Sequence, residues 1–230
     1  MADGFTALST SAAIDLRVAA KAMLAHTFYQ AWTAGTLSAD TLREYAKQYF
    51  HHVEAFPQAV SAVHANCPDR DGRKLLVENL AEEEGLGEGK SDHAQLWLDF
   101  AAGMGADESA VRTVKLNPET QGLIDAFRTL SRKSYAAGLG ALYAYESQLP
   151  AVATTKIEGL DKFYGVNDAA TIHFFRVHEA ADVEHSEVCR TLLDRLPEAE
   201  RAEAIEAADQ LAGALSGFLD GVAREAGICC

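Results

Sequence analysis

Residues His178-Glu179-Ala180-Ala181-Asp182-Val183-Glu184-His185 read H-x-x-x-D-x-x-H within a stretch of helical periodicity. An α-helix turns about 100° per residue, so positions i, i+4 and i+7 fall within roughly 60° of one another. His178, Asp182 and His185 therefore leave the helix along one stripe. Two imidazoles and a carboxylate facing together suit a first-row transition metal. The same spacing is also compatible with a helix that carries two histidines and a solvated aspartate. A dinuclear site needs further ligands projecting inward from neighbouring helices, so a metal reading of the stripe demands a helical bundle around it.

Helical periodicity extends through nearly the whole chain. Ile14, Arg17, Val18, Lys21, Ala22 and Leu24 mark a first amphipathic helix, followed by a shorter one with His26, Phe28, Tyr29 and Trp32. Ser38 is a suitable N-cap for a long helix through Leu42, Tyr45, Tyr49, Val53, Val60 and Val63, with Pro57 as a kink point. Further helices are expected from Asp69 to Glu84 and from Asp92 to about Gly103, separated by the glycine-rich break Gly85 to Gly89. Asn117-Pro118-Glu119 predicts a capped start for a helix to about Gln148, stopped by Pro150. Helices over 155–163, 167–193 and 197–226 complete the expectation. No segment shows the alternation of a strand, and no internal repeat is present. The pattern predicts an all-α bundle of about seven or eight helices in a single domain over residues 1–230.

Composition excludes several function classes. A formal charge of −14 argues against a nucleic-acid partner, which draws on clustered Lys and Arg. No apolar run approaches the roughly 20 residues that span a bilayer, and the N-terminus lacks the pattern of a secretory signal. The four cysteines, Cys67, Cys189, Cys229 and Cys230, form neither a C-x-x-C pair nor a disulfide framework, so a reducing cytoplasm is expected. The Cys229-Cys230 pair reads as an exposed tail.

Other ligand-type residues precede the stripe. Glu146 ends a strongly apolar segment that includes Ala136, Leu139 and Leu142, where an unpaired carboxylate would be costly. It either joins a buried site or turns to the surface before Pro150. The run Glu82-Glu83-Glu84 and His93 flank the glycine break, and acidic runs are commonly solvated faces. His51, His52, His64 and His173 are not singled out by spacing.

Taken together, the segments HTFYQAW (26–32), YAKQYFHHVEAFP (45–57), the acidic run at 82–84, Tyr145-Glu146 and HEAADVEH (178–185) resemble the CADD family, relatives of the chlamydial protein associating with death domains. That family lies within the haem-oxygenase-like (TenA/PqqC-like) diiron superfamily, and the resemblance runs from about His26 to Arg190. It implies a haem-oxygenase-like bundle and two metal ions, iron with iron or manganese with iron, held by Glu83, His93, Glu146, His178, Asp182 and His185. It further implies an oxygen-dependent, self-sacrificing formation of 4-aminobenzoate for folate synthesis. Tyr29 would be the source of the ring, Lys156 the suggested amine donor, and Tyr145 an auxiliary aromatic beside the metals. The segment from the acidic run to His93 is longer here than in the family, which leaves Glu83 and Glu84 as alternatives for one ligand.

These roles suit the residue types. Mixed histidine and carboxylate ligation suits iron or manganese, and such metals carry the dioxygen chemistry that side chains lack. Tyr29 has an oxidisable phenol. Lys156 must be neutral to act as a nucleophile, which a desolvated pocket favours. On residues alone, Tyr29 equally reads as a core tyrosine packed with Phe28 and Trp32, and Lys156 as a surface lysine near a helix start. The expected partners are dioxygen and an external reductant, and a bundle of this size is compatible with a homodimer.

Other activities remain to be weighed. A dimetal oxidase acting on a separate small molecule would use the same ligands. A TenA-like activity needs a cysteine nucleophile, and the helix from Pro118 to Gln148 has none. Haem ligation by His26 leaves the carboxylate of the stripe without a purpose. A protein-interaction module has no distinctive surface in this sequence.

Overall fold

Side-chain caps punctuate the chain. Ser9, Ser38, Asp69, Asp92, Asp107, Ser134 and Asp168 each accept a hydrogen bond from the backbone N–H three residues on. They open α1 (Thr10–Ala19), α3 (Ala39–Asn66), α4 (Arg70–Glu83), α5 (His93–Gly103), α6 (Glu108–Thr113), α8 (Tyr135–Glu146) and α10 (Ala169–Asp194). Each cap satisfies a donor that the first helical turn leaves free. A short 3₁₀ turn, Met23–Ala25, leads into α2 (Thr27–Ala34), which is capped instead by His26. The remaining helices, α7 (Pro118–Lys133), α9 (Leu149–Tyr164) and α11 (Glu198–Glu225), start beside a proline, whose fixed φ suits a first turn. The computed structural model describes residues 8–228, and the Cys229-Cys230 pair lies outside the described residues.

The all-α expectation holds: eleven α-helices and no strand occur among the described residues. The expected seven or eight is exceeded for local reasons. The single helix expected from Pro118 to Gln148 is split at Ser134, which is extended (φ −161°, ψ 168°) and caps α8. Pro150 does not end a helix but sits in the first turn of α9, which begins six positions before the expected Thr155. A proline there costs nothing, because its missing N–H has no intrahelical partner to lose. Asn117 occupies the N-cap position of α7 without a capping hydrogen bond from its side chain. Its backbone N–H donates to Gln48 Oε1 at 3.1 Å. The long helix α3 passes through Pro57 as one element.

Helix α8 is the axis of the bundle. Every residue from Ala136 to Glu146 is buried, which its run of Ala, Gly, Leu and aromatic residues permits on all faces. It packs most heavily on α11 and also on α7 and α10. The close approach to α11 depends on Gly140, where a Cβ would stand 2.1 Å from the carbonyl oxygen of Ala204. Helix α3 packs on α4, α5 and α7, and α9 and α5 pack on α10. The C-terminal ends of α4 and α8 and the N-terminal end of α5 thereby meet the middle of α10. No helix among the described residues is long and apolar enough to cross a membrane.

Candidate metal centre

Two groups of three buried ligand-type side chains lie where those helices meet. Glu83, His93 and His178 form one, and Glu146, Asp182 and His185 the other. Within each group the ligand atoms all lie within 4.8 Å of one another, so each could hold a metal ion. The H-x-x-x-D-x-x-H stripe of α10 contributes to both: His178 to the first group, Asp182 and His185 to the second. Glu146 comes from the last turn of α8. Glu83 ends α4 and His93 opens α5, so both ends of the glycine-rich loop deliver a side chain to the same place.

The structure separates the three consecutive glutamates. Glu83 is buried, whereas Glu84 is exposed and joins neither group. The loop between them and His93 turns sharply at Gly85 (φ 63°), where a Cβ would stand 2.3 Å from the backbone nitrogen of Asp92. Only glycine satisfies both the positive φ and the space.

The polar atoms of these groups are incompletely paired. His93 Nδ1 stands 2.7 Å from Glu83 Oε2, yet the geometry is not that of a hydrogen bond. His185 Nδ1 and Asp182 Oδ2 are likewise buried without a hydrogen-bond partner. Buried polar atoms of this kind call for an explanation. Two ligands on one ion, each about 2.1 Å from it, are held roughly 3 Å apart without bonding to each other. His178 is already oriented: its Nδ1 donates to the Phe174 carbonyl at 2.6 Å, leaving Nε2 to accept or to ligate. Glu146 accepts from Asn79 Nδ2 at 2.8 Å and from Cys189 Sγ at 3.3 Å.

The electrostatics point the same way. Burial, with the charges of Glu146 and Glu83 added, raises the Asp182 carboxyl to about 7. Burial likewise raises Glu146. Burial opposes the charged form of His185, but Asp182 beside it and the other carboxylates raise it to about 9. His93 is also raised by its carboxylate neighbours against the effect of burial. Three carboxylates confined in one dry place favour bound positive charge, which protons or metal ions can supply. The observed orphan atoms, the prepared His178 nitrogen and this charge balance fit a pair of metal ions.

Tyr145 and Lys156 lie near this centre, and Tyr29 lies against Lys156, all three in the interior. Tyr29 is fully buried, with its hydroxyl unpartnered, in the aromatic cluster of Phe28 and Trp32. Lys156 is buried as well, only 3% exposed, not on the surface. Its Nζ donates to the Tyr45 hydroxyl at 2.6 Å and lies within 5.8 Å of the ring centres of Tyr29, Tyr45, Tyr49, Trp97 and Phe175. Burial lowers its amine to about 7. The Tyr145 hydroxyl bonds that of Tyr49 at 2.7 Å, and the Tyr49 ring stacks on Tyr45 at 5.6 Å. His26 is committed elsewhere, with Nδ1 accepting from Phe28 N and Nε2 paired with Asp220, so neither nitrogen is free for haem.

Several of these residues have no motif of their own. Asn79 lies four residues before Glu83 and Cys189 four residues after His185, so helical spacing places both on the site's face. Tyr45 and Tyr49 share such a spacing on α3, which by itself reads as core. Beside His93, a cleft of about 560 Å³ is lined by Glu82, Lys90, Leu96, His173 and Val177 among others.

This chain is similar to known proteins in sequence and in fold. The profile of a family described as iron-containing redox enzymes matches residues 43–216. A 4-aminobenzoate synthase of Chlamydia trachomatis is 36% identical over 218 residues, covering 94% of this chain and 93% of that protein. A 4-aminobenzoate synthase of Nitrosomonas europaea is 38% identical over 221 residues, covering 91% and 89%. The crystal structure of a CADD-like protein of unknown function from Nostoc punctiforme superposes with a TM-score of 0.79 at 19% identity, covering 94% of this chain and 96% of that one. The crystal structure of a domain of unknown function with a haem-oxygenase-like fold from Shewanella denitrificans superposes with a TM-score of 0.77 at 17% identity, covering 92% and 89%, and both structures are likenesses of fold.

Proposed function

The chain belongs to the family of iron-containing redox enzymes, and we propose that it forms 4-aminobenzoate in an oxygen-dependent reaction, with Tyr29 as ring source and Lys156 as amine donor. The similarity to two 4-aminobenzoate synthases supports the product. The observation that carries the residue roles is the placement of Lys156 Nζ 5.8 Å over the Tyr29 ring, both side chains being buried.

Glu83, His93 and His178 would hold one metal ion, and Glu146, Asp182 and His185 the second. Bound iron, alone or with manganese, would supply the oxidising power from dioxygen that no side chain possesses. The protein's own residues prepare the rest. The Phe174 carbonyl fixes the His178 tautomer, and Asn79 and Cys189 orient Glu146. Tyr45 holds the Lys156 amine in place, while the surrounding rings exclude water and keep a large neutral fraction near pH 7. A neutral nitrogen with a lone pair is what bond formation to an oxidised ring requires.

The test loads metal-free protein with iron and manganese without oxygen, then admits oxygen. Release of 4-aminobenzoate, with a matching mass loss confined to the peptides that contain Tyr29 and Lys156, is the expected result. Repeated turnover of an added substrate by an unaltered chain would overturn it. That second reading, a dimetal oxidase of a separate small molecule, is favoured by one observation: the cleft beside His93 has the size of a small-molecule site.

A further inference from the structure

One carboxylate outside the two groups has both oxygens engaged, one of them toward a histidine of the second group. Glu82 Oε2 stands 2.9 Å from His185 Nε2, and Glu82 Oε1 accepts from Lys90 Nζ at 3.3 Å. The other nitrogen of His185, Nδ1, is buried without a hydrogen bond, 3.7 Å from Asp182 Oδ1. A neutral imidazole has one N–H and one lone pair, and the bond made by one nitrogen decides what the other offers. In the neutral form that would bind a metal, Nε2–H donated to Glu82 leaves the lone pair on Nδ1, the nitrogen that faces Asp182.

We propose that Glu82 is a positioning residue of the metal centre, fixing the tautomer and ring orientation of His185, and that Lys90 in turn fixes Glu82. This inference rests on the metal reading of the two groups. It does not rest on ion-pair strength. The Lys90–Glu82 pair is 52% and 40% exposed at its side chains, and such surface pairs contribute little to stability. The weight lies on the inner contact, because the His185 side chain is only 8% exposed.

The arrangement has a topological consequence. Lys90 belongs to the glycine-rich loop that brings Glu83 and His93 together in the first group. Through Glu82, that loop also steadies His185 in the second. Two ion sites on four helices therefore share one loop. Glu82 precedes Glu83 by one position, so the acidic run carries a ligand-type residue pointing inward and a support for a different ligand beside it.

Manganese(II) titrated without oxygen into the metal-free full chain tests this, with ions per chain counted by elemental analysis and affinities by calorimetry. Wild type is expected to bind two ions. Glu82→Ala should weaken one of the two sites by about 10–100-fold, the usual loss when a histidine ligand's carboxylate partner is removed, and leave the other unchanged. Glu82→Gln should retain most of the affinity, because its amide oxygen accepts the same N–H. Lys90→Ala should weaken the same site by a smaller factor. Unchanged binding in Glu82→Ala, equal weakening of both sites, or a loss in Glu82→Gln as large as in Glu82→Ala would overturn the proposal. A wild-type chain that binds no manganese or iron would overturn the metal centre itself, which is a distinguishable result.

Discussion

Lys156 Nζ donates to the Tyr45 hydroxyl at 2.6 Å, and this is the hydrogen bond that holds an otherwise ring-enclosed amine above Tyr29. Removing the acceptor alone, as in Tyr45→Phe, leaves a buried N–H donor unsatisfied at a cost of about 1–3 kcal/mol. Thermal unfolding should show a lower midpoint for this variant, and product yield at saturating metal should fall with it.

The pH dependence of stability should report the buried amine. Lys156 is lowered to about 7 in the fold by burial and regains its ordinary value on unfolding. Between about 7 and 10.5 the unfolded chain binds the proton that the folded chain lacks, so folding stability rises with pH across this window. The slope for one proton is at most ~1.4 kcal/mol per pH unit. Denaturant unfolding of Lys156→Met against wild type should show the variant's advantage growing as pH falls from 10.5 to 7, then levelling off. A constant difference over that range would contradict a neutral Lys156.

Tyr29→Phe separates stability from activity. The Tyr29 hydroxyl is buried without a partner, so its removal relieves an unsatisfied polar group and leaves the aromatic packing intact. The unfolding midpoint should hold or rise, while 4-aminobenzoate formation should disappear. A variant that stays fully active would show that Tyr29 is only packing.

Asp182→Asn should invert its effect with metal. In metal-free protein the Asp182 carboxyl, raised to about 7, is ionised at a cost at pH 8, so the variant should be the more stable form. Added manganese should stabilise wild type by about 2.7 kcal/mol at a hundredfold excess over its dissociation constant, and the variant by much less. Calorimetric scans with and without metal give both signs.

Gly85→Ala should damage the first group from a distance. The added methyl meets the Asp92 nitrogen at 2.3 Å in a backbone of positive φ, so the turn must open. Elemental analysis should then find the ion associated with Glu83, His93 and His178 depleted before the other.

Much of this architecture is legible in the chain. His178, Asp182 and His185 share a stripe because helical geometry alone aligns them, and Glu146 stands out because a carboxylate ends an apolar helix. The choice of Glu83 over Glu84 is not legible, since three adjacent glutamates cover most directions around α4 and only its docking decides which turns inward. The support from Glu82 joins residues 103 positions apart, beyond any local pattern. Ser134 and Pro150 mislead for the opposite reason. A serine inside a helical pattern and a proline near its end each permit two readings, and the packing of α8 chooses between them.

If Tyr29 is the ring source proposed above, its burial would set a limit on yield. Its ring is fully buried in a cluster with Phe28 and Trp32. A chain that gave up this ring would keep a void of aromatic size, which in protein cores costs about 3–5 kcal/mol. Each polypeptide would then serve once and leave a weakened remnant. The amount of product would follow the number of chains synthesised, and the spent molecule would be marked for removal by its own loosened core.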